Sequence, residues 1–159
     1  MKQGSGKAGD FDFLAGRWTI KNRRLKTRWA AVEDWELFDG AATCWTVLDG
    51  RGSIEELNIP PGRARGLGIR LLDVERGVWS DYWTGSGSGV VVPPPMTGAF
   101  DGGVGTFIAT DERDGEIAIW SRGVWDRITP TSCRWHQAFS RDEGQTWHGN
   151  WFMDWTRLA

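Results

Sequence analysis

The stretch Trp147-His148-Gly149-Asn150-Trp151-Phe152-Met153-Asp154-Trp155 repeats every second residue. Trp147, Gly149, Trp151, Met153 and Trp155 fall on one side of the repeat; His148, Asn150, Phe152 and Asp154 fall on the other. A period of two marks a β-strand with one packed face. The preceding segment behaves alike, with Trp135, Gln137 and Phe139 opposed to Arg134, His136 and Ala138. Between the two lies Ser140-Arg141-Asp142-Glu143-Gly144-Gln145-Thr146-Trp147, which fits the Asp-box pattern Ser-x-Asp-x-Gly-x-Thr-Trp. In such a box short polar side chains bond the turn backbone, glycine permits positive φ, and the tryptophan packs beneath. Ser140, Asp142, Gly144 and Trp147 therefore read as a structural hairpin device. The single copy excludes a propeller, whose blades repeat.

Outward from this hairpin, turn signals recur at Asp49-Gly50, Pro60-Pro61-Gly62, Arg76-Gly77, 85–89, 93–95, Asp101-Gly102-Gly103, Asp114-Gly115 and Thr129-Pro130. Strands are expected at 16–28, 34–48, 53–59, 65–73, 77–84, 90–92, 98–110, 115–128, 132–141 and 145–158. Strands at this spacing, with no βαβ alternation, predict an all-β fold. The simplest closure is a single antiparallel up-and-down β-barrel of eight to ten strands, which leaves no exposed edge. A short N-terminal helix is expected over 10–14 with Asp10 as N-cap. Leu25, Trp29, Val32 and Glu36 also fit a helical stripe. Residues 1–9 are expected as a flexible tail and 10–159 as the barrel domain.

The chain's 159 residues suit one core. Its 22 glycines and 12 tryptophans match short aromatic strands joined by tight turns. A net charge of −2 provides no field for nucleic acid or an anionic membrane. Lys21, Arg23, Arg24, Lys26 and Arg28 form a basic run, but alternation splits it between two faces, so a solvated outer face is expected rather than a nucleic-acid surface. No run approaches the roughly 18 apolar residues of a membrane span, and no secretory h-region is seen. Two cysteines, Cys44 and Cys133, make neither a disulfide framework nor a metal site. The expectation is a reduced, cytoplasmic protein with a small-molecule ligand and no membrane, nucleic acid, metal or cofactor; a homodimer is left open.

Alternation also places polar residues among the aromatics: Asn22 and Arg24 share a face with Trp18 and Ile20, Asp81 with Trp79 and Trp83, and Gln137 with Trp135. Polar groups buried without partners are costly, so such an interior points to a wet or ligand-filled cavity. The expected pocket residues are Asn22, Arg24, Trp35, Arg70, Asp81, Trp83, Arg122, Gln137 and Trp151. The loop at 85–89 and the turn at 93–95 are expected to flank its mouth. Arg24, Arg70 and Arg122 are the candidates to meet an anionic group, because a guanidinium fork matches a carboxylate or phosphate. Asp81, between two tryptophans, is expected to pair with Arg70 or Arg122, or to act as an acid/base if the barrel is an enzyme. One of the adjacent Glu55 and Glu56 faces inward; the sequence does not say which.

The start Phe11-Asp12-Phe13-Leu14-Ala15-Gly16-Arg17-Trp18 resembles the Gly-x-Trp opening of the first strand in lipocalins and other calycins. That resemblance implies that Trp18 closes the barrel bottom and that Arg157, from the last strand, packs across it. The whole chain is similar to an uncharacterised bacterial family of calycin-like domains; the likeness lies in 10–18, Arg23-Arg24-Leu25-Lys26, Trp79-Ser80-Asp81-Tyr82-Trp83 and 135–151. It implies a barrel and a cavity, not a reaction. The related nitrobindins bind haem through a histidine, which needs an inward imidazole. Here alternation turns His136 and His148 outward unless a bulge near Gly149 reverses His148, so no haem is expected. The function expected is binding of a small hydrophobic or amphipathic molecule, an anionic one included. The competing reading is a barrel isomerase, cyclase or lyase using Asp81, with a haem protein as the third.

Overall fold

The computed structural model describes residues 6–59 and 65–159, so the Pro60-Pro61-Gly62 turn and the first part of the expected tail lie outside the described residues. Ten strands follow one another: β1 (Gly16–Leu25), β2 (Trp35–Val47), β3 (Gly52–Asn58), β4 (Gly66–Asp73), β5 (Val78–Gly85), β6 (Met96–Asp101), β7 (Val104–Asp114), β8 (Ile117–Asp126), β9 (Ser132–Ser140) and β10 (His148–Arg157). Each pairs antiparallel with the next, and β1 pairs with β10, giving a closed up-and-down barrel. No helix of the described residues is long and apolar enough to cross a membrane.

Four local expectations are corrected. Residues 90–92 form no strand: the prolines that follow cannot donate to a ladder, and the segment runs in a loop where Val92 N reaches Trp83 O at 3.2 Å. The expected strand 98–110 breaks at Gly102 and Gly103, both at positive φ, so β6 and β7 make a hairpin there. The expected helix is one 3-10 turn, Asp12–Leu14, whose N-cap position is Phe11. Asp10 caps nothing in it; its carboxylate accepts Lys7 N at 2.8 Å and Trp79 Nε1 at 3.1 Å. The stripe through Trp29 and Val32 is not helical either, and Val32 is exposed.

Strand direction separates two ends. At one, the turn Asp12–Leu14 drives Phe11 and Leu14 into the interior, where they pack with Trp18, Trp79, Phe107, Trp125 and Trp155. Trp18 Nε1 donates to Leu14 O at 2.8 Å, and the Arg157 guanidinium lies 4.2 Å over the Trp18 ring. Arg157 also donates to Pro130 O at 2.9 Å, Ala15 O at 2.5 Å and Phe13 O at 2.6 Å. Gly16 sits at φ +128°, and a Cβ there would come within 2.5 Å of Arg157 Nη1, so the stack requires the glycine. Backbone bonds from Gly6 N to Gly77 O and from Gly9 N to Gly50 O tie the preceding segment to this closed end. The other end carries the segments 26–34, 86–95, 115–116 and 141–147, and there the barrel opens.

Two bulges near the open end reset which side chains face inward. In β10 the register slips between Gly149 and Trp151, and in β7 between Ala109 and Glu112. An extra residue in a two-residue period moves everything beyond it to the opposite face.

Candidate functional site

A cavity of about 300 Å³ occupies the open half of the barrel. Its walls are aromatic and thioether: Trp83 from β5, Met96 from β6, Trp125 from β8, Trp135 and Phe139 from β9, and Trp151, Met153 and Trp155 from β10. Val92 and Pro94 of the 86–95 loop reach the mouth. Volumes of a few hundred Å³ walled by apolar side chains with sparse polar groups are typical of small-ligand sites. Edge-to-face packing of Trp135 on Trp151, at 5.8 Å and 85°, fixes two of the walls.

One side holds a row of charges across three neighbouring strands. Glu55 of β3 and Arg70 of β4 form a tight buried pair, 3% and 4% exposed. Arg70 Nε reaches Asp81 of β5 at a looser 3.4 Å, the two residues being directly opposed in register. The guanidinium also lies 5.2 Å over Phe11 and 5.3 Å over Trp125, which keeps it away from the mouth. Burial alone would lower the Arg70 pKa, but the carboxylates of Asp81 and Glu55 outweigh it and hold the guanidinium charged. Burial pushes the Asp81 carboxyl above its ordinary range; Arg70 opposes this and Glu55 adds to it. Glu55 is the inward member of its pair and Glu56 the exposed one. Glu55 shares its face with Leu57 of the core, whereas Ile54 stands on the face of Glu56, so apolar neighbours alone do not separate the two in the sequence.

Asp81, Trp83, Arg70, Gln137 and Trp151 line the cavity together. Asn22 is buried beside them and accepts Trp151 Nε1 at 2.9 Å. Gln137 Nε2 donates to Asn150 Oδ1 at 2.8 Å; Asn150, which strict alternation turns outward, is brought into the wall by the β10 bulge. Arg24 faces inward but is bonded to Glu36 at 3.0 and 2.8 Å and lies 4.9 Å over the Trp151 ring.

Two expected residues lie elsewhere. Trp35 is on the outer face, with Arg23 4.5 Å over its ring and Phe152 at 5.9 Å; it is opposite in phase to the inward Ala42 and Cys44 of its own strand. Arg122 is also outside, 4.3 Å over Trp147, because Ile119, Ser121 and Trp125 take the inward positions of β8. Burial lowers its pKa. Of the three arginines expected to meet an anion, one is paired with Glu36, one with Glu55, and one is outside the barrel.

The bulge also corrects His148. Opposite Phe139 in register, it sits on the cavity side at the mouth, with its ring edge-on to Trp29 at 5.2 Å. His136 does face outward, stacked on Phe152 at 5.6 Å and 3.4 Å from Asp126. Trp147 moves with the bulge to the outer face. No group of metal-ligating side chains occurs among the described residues. The β7 bulge brings in Glu112, another cavity residue that alternation alone misses.

The hairpin at 141–147 has the bonding its pattern implies. Ser140 Oγ accepts Gly144 N at 2.8 Å, and Asp142 accepts Thr146 N at 2.8 Å and Thr146 Oγ1 at 2.6 Å. Most of the basic run is paired: Lys21 with Asp39 at 2.7 Å, Lys26 with Asp34 at 3.1 Å and Arg28 with Asp114 at 2.5 Å. Asp114 also accepts Trp29 Nε1 at 2.9 Å, which fastens the 26–34 segment across the mouth. No family model matches the chain, and no curated protein is similar to it.

Proposed function

We propose that the protein binds a small hydrophobic or amphipathic molecule inside the barrel. The observation that carries this reading is the cavity of about 300 Å³, open at one end and walled by Trp83, Trp135, Phe139 and Trp151. A barrel packed for stability alone fills its interior, as the closed half of this one is filled. The Trp18–Arg157 stack supports the same reading, because it is the closure that the lipocalin-like resemblance implies.

The test is a fluorescence titration with the neutral dye N-phenylnaphthylamine. Saturable binding at one dye per chain is expected. Phe139→Ala and Trp151→Ala should weaken it by roughly tenfold each, since each removes an aromatic wall worth on the order of 1–2 kcal/mol. Trp45→Ala, on the exposed outer surface, should leave it unchanged. No saturable binding, or equal loss in all three variants, contradicts the reading.

A further inference from the structure

We propose that the cavity selects an organic cation, an ammonium or quaternary ammonium group on an apolar body; this rests on the binding reading above. Three carboxylates, Glu55, Asp81 and Glu112, line the cavity with one guanidinium, Arg70. Their accessibility differs in a way that decides the sign. Arg70 and Glu55 are 4% and 3% exposed and neutralise one another inside the wall. What reaches the cavity is Asp81, 17% exposed on a single long contact to Arg70, and Glu112, which has no ion-pair partner among the described residues. Among the side chains lining the cavity, the charge left without a close partner is therefore carboxylate, and the one lining guanidinium is already paired.

The indole walls favour the same sign, since the faces of Trp rings attract cations and an enclosed site strengthens the attraction. The barrel already uses this contact where the Arg24 guanidinium lies 4.9 Å over Trp151. An anion would meet two carboxylates with no free guanidinium, and a neutral molecule would gain only the apolar walls. Met96, Met153 and Phe139 offer the surface for the uncharged body.

Calorimetric titration of the full chain with phenylbutylammonium, phenylbutanol and phenylbutyrate varies the head group on one body. The ammonium is expected to bind about tenfold tighter than the alcohol, and the carboxylate weakest. Glu112→Gln, with folding checked by thermal melting, should reduce the preference for the ammonium over the alcohol several-fold. Added salt should weaken only the ammonium. Equal or tighter binding of the alcohol or the carboxylate overturns the proposal, as does an ammonium preference that Glu112→Gln leaves intact. Should the dye bind while none of the three compounds does, the cation proposal falls and the binding reading stands. Should the dye also fail, the binding reading itself falls.

Discussion

Glu55, Arg70 and Asp81 stand side by side, but their removal should not cost alike. Glu55 holds the buried guanidinium directly, so Glu55→Ala leaves it only the long contact to Asp81 and is expected to destabilise by roughly 3 kcal/mol. Asp81→Asn keeps the shape and leaves Glu55 in place, and about 1 kcal/mol is expected. Thermal melting of the two variants distinguishes these outcomes; a larger loss in Asp81→Asn would mean that Asp81 is the main partner. Asp142 gives a pH prediction. Bonds from the Thr146 side chain, the Thr146 backbone and Ser140 hold its carboxyl at about 2, below the ordinary 3.8. A depressed folded pKa means stabilisation that is complete above the ordinary value and is lost as pH falls through the folded one. The protection factors of the Gly144 and Thr146 amides, relative to unfolded chain at the same pH, should therefore be unchanged from neutrality down to about pH 4 and fall between about pH 4 and pH 2. Unchanged protection at pH 2 would show that the hairpin does not depend on this carboxylate.

At the scale of elements, two glycines on the strands flanking β5 face different obstacles. A Cβ on Gly98 of β6 would fall 1.8 Å from the backbone oxygen of Thr106, where the ladder cannot yield. A Cβ on Gly66 of β4 would fall 1.9 Å from the Trp83 ring, which is 43% exposed and can swing. Gly98→Ala should cost about 2–3 kcal/mol. Gly66→Ala should cost under about 1 kcal/mol yet weaken dye binding, because the wall moves. The reverse order, by melting and titration, would place the rigid contact at Trp83. Element boundaries also show where sequence reading succeeds. Turn glycines and alternating tryptophans made most of the strands visible, and the same alternation put Asp81, Trp83, Gln137 and Trp151 on one interior. The β7 bulge was not visible and the one near Gly149 stood only as an alternative, because one inserted residue changes no composition and breaks a two-residue period only at its own position. Asn150, Glu112 and the side taken by His148 depend on them. Trp35 failed differently: an aromatic at a strand start carries no mark of its face, and its outer position is set by pairing with Arg23 and Phe152.

For the whole molecule, ten strands in chain order close on one another, one end is plugged by Phe11, Leu14, Trp18 and Trp79, and the other is left open over an aromatic cavity. Closing the floor with the chain's own N-terminal segment leaves a blind pocket rather than a channel, entered from the 26–34, 86–95 and 141–147 side. On the proposed reading, Glu112 and Asp81 favour a cationic head group and the indoles hold its apolar body. The direct measurement is a nitrogen–proton correlation spectrum of the tryptophan indoles during titration with phenylbutylammonium and with phenylbutanol. The account predicts shifts at Trp83, Trp135 and Trp151, none at the floor residues Trp18 and Trp79, and none at Trp45 or Trp147 outside the barrel. Shifts at the outer tryptophans with the cavity indoles unmoved would contradict it.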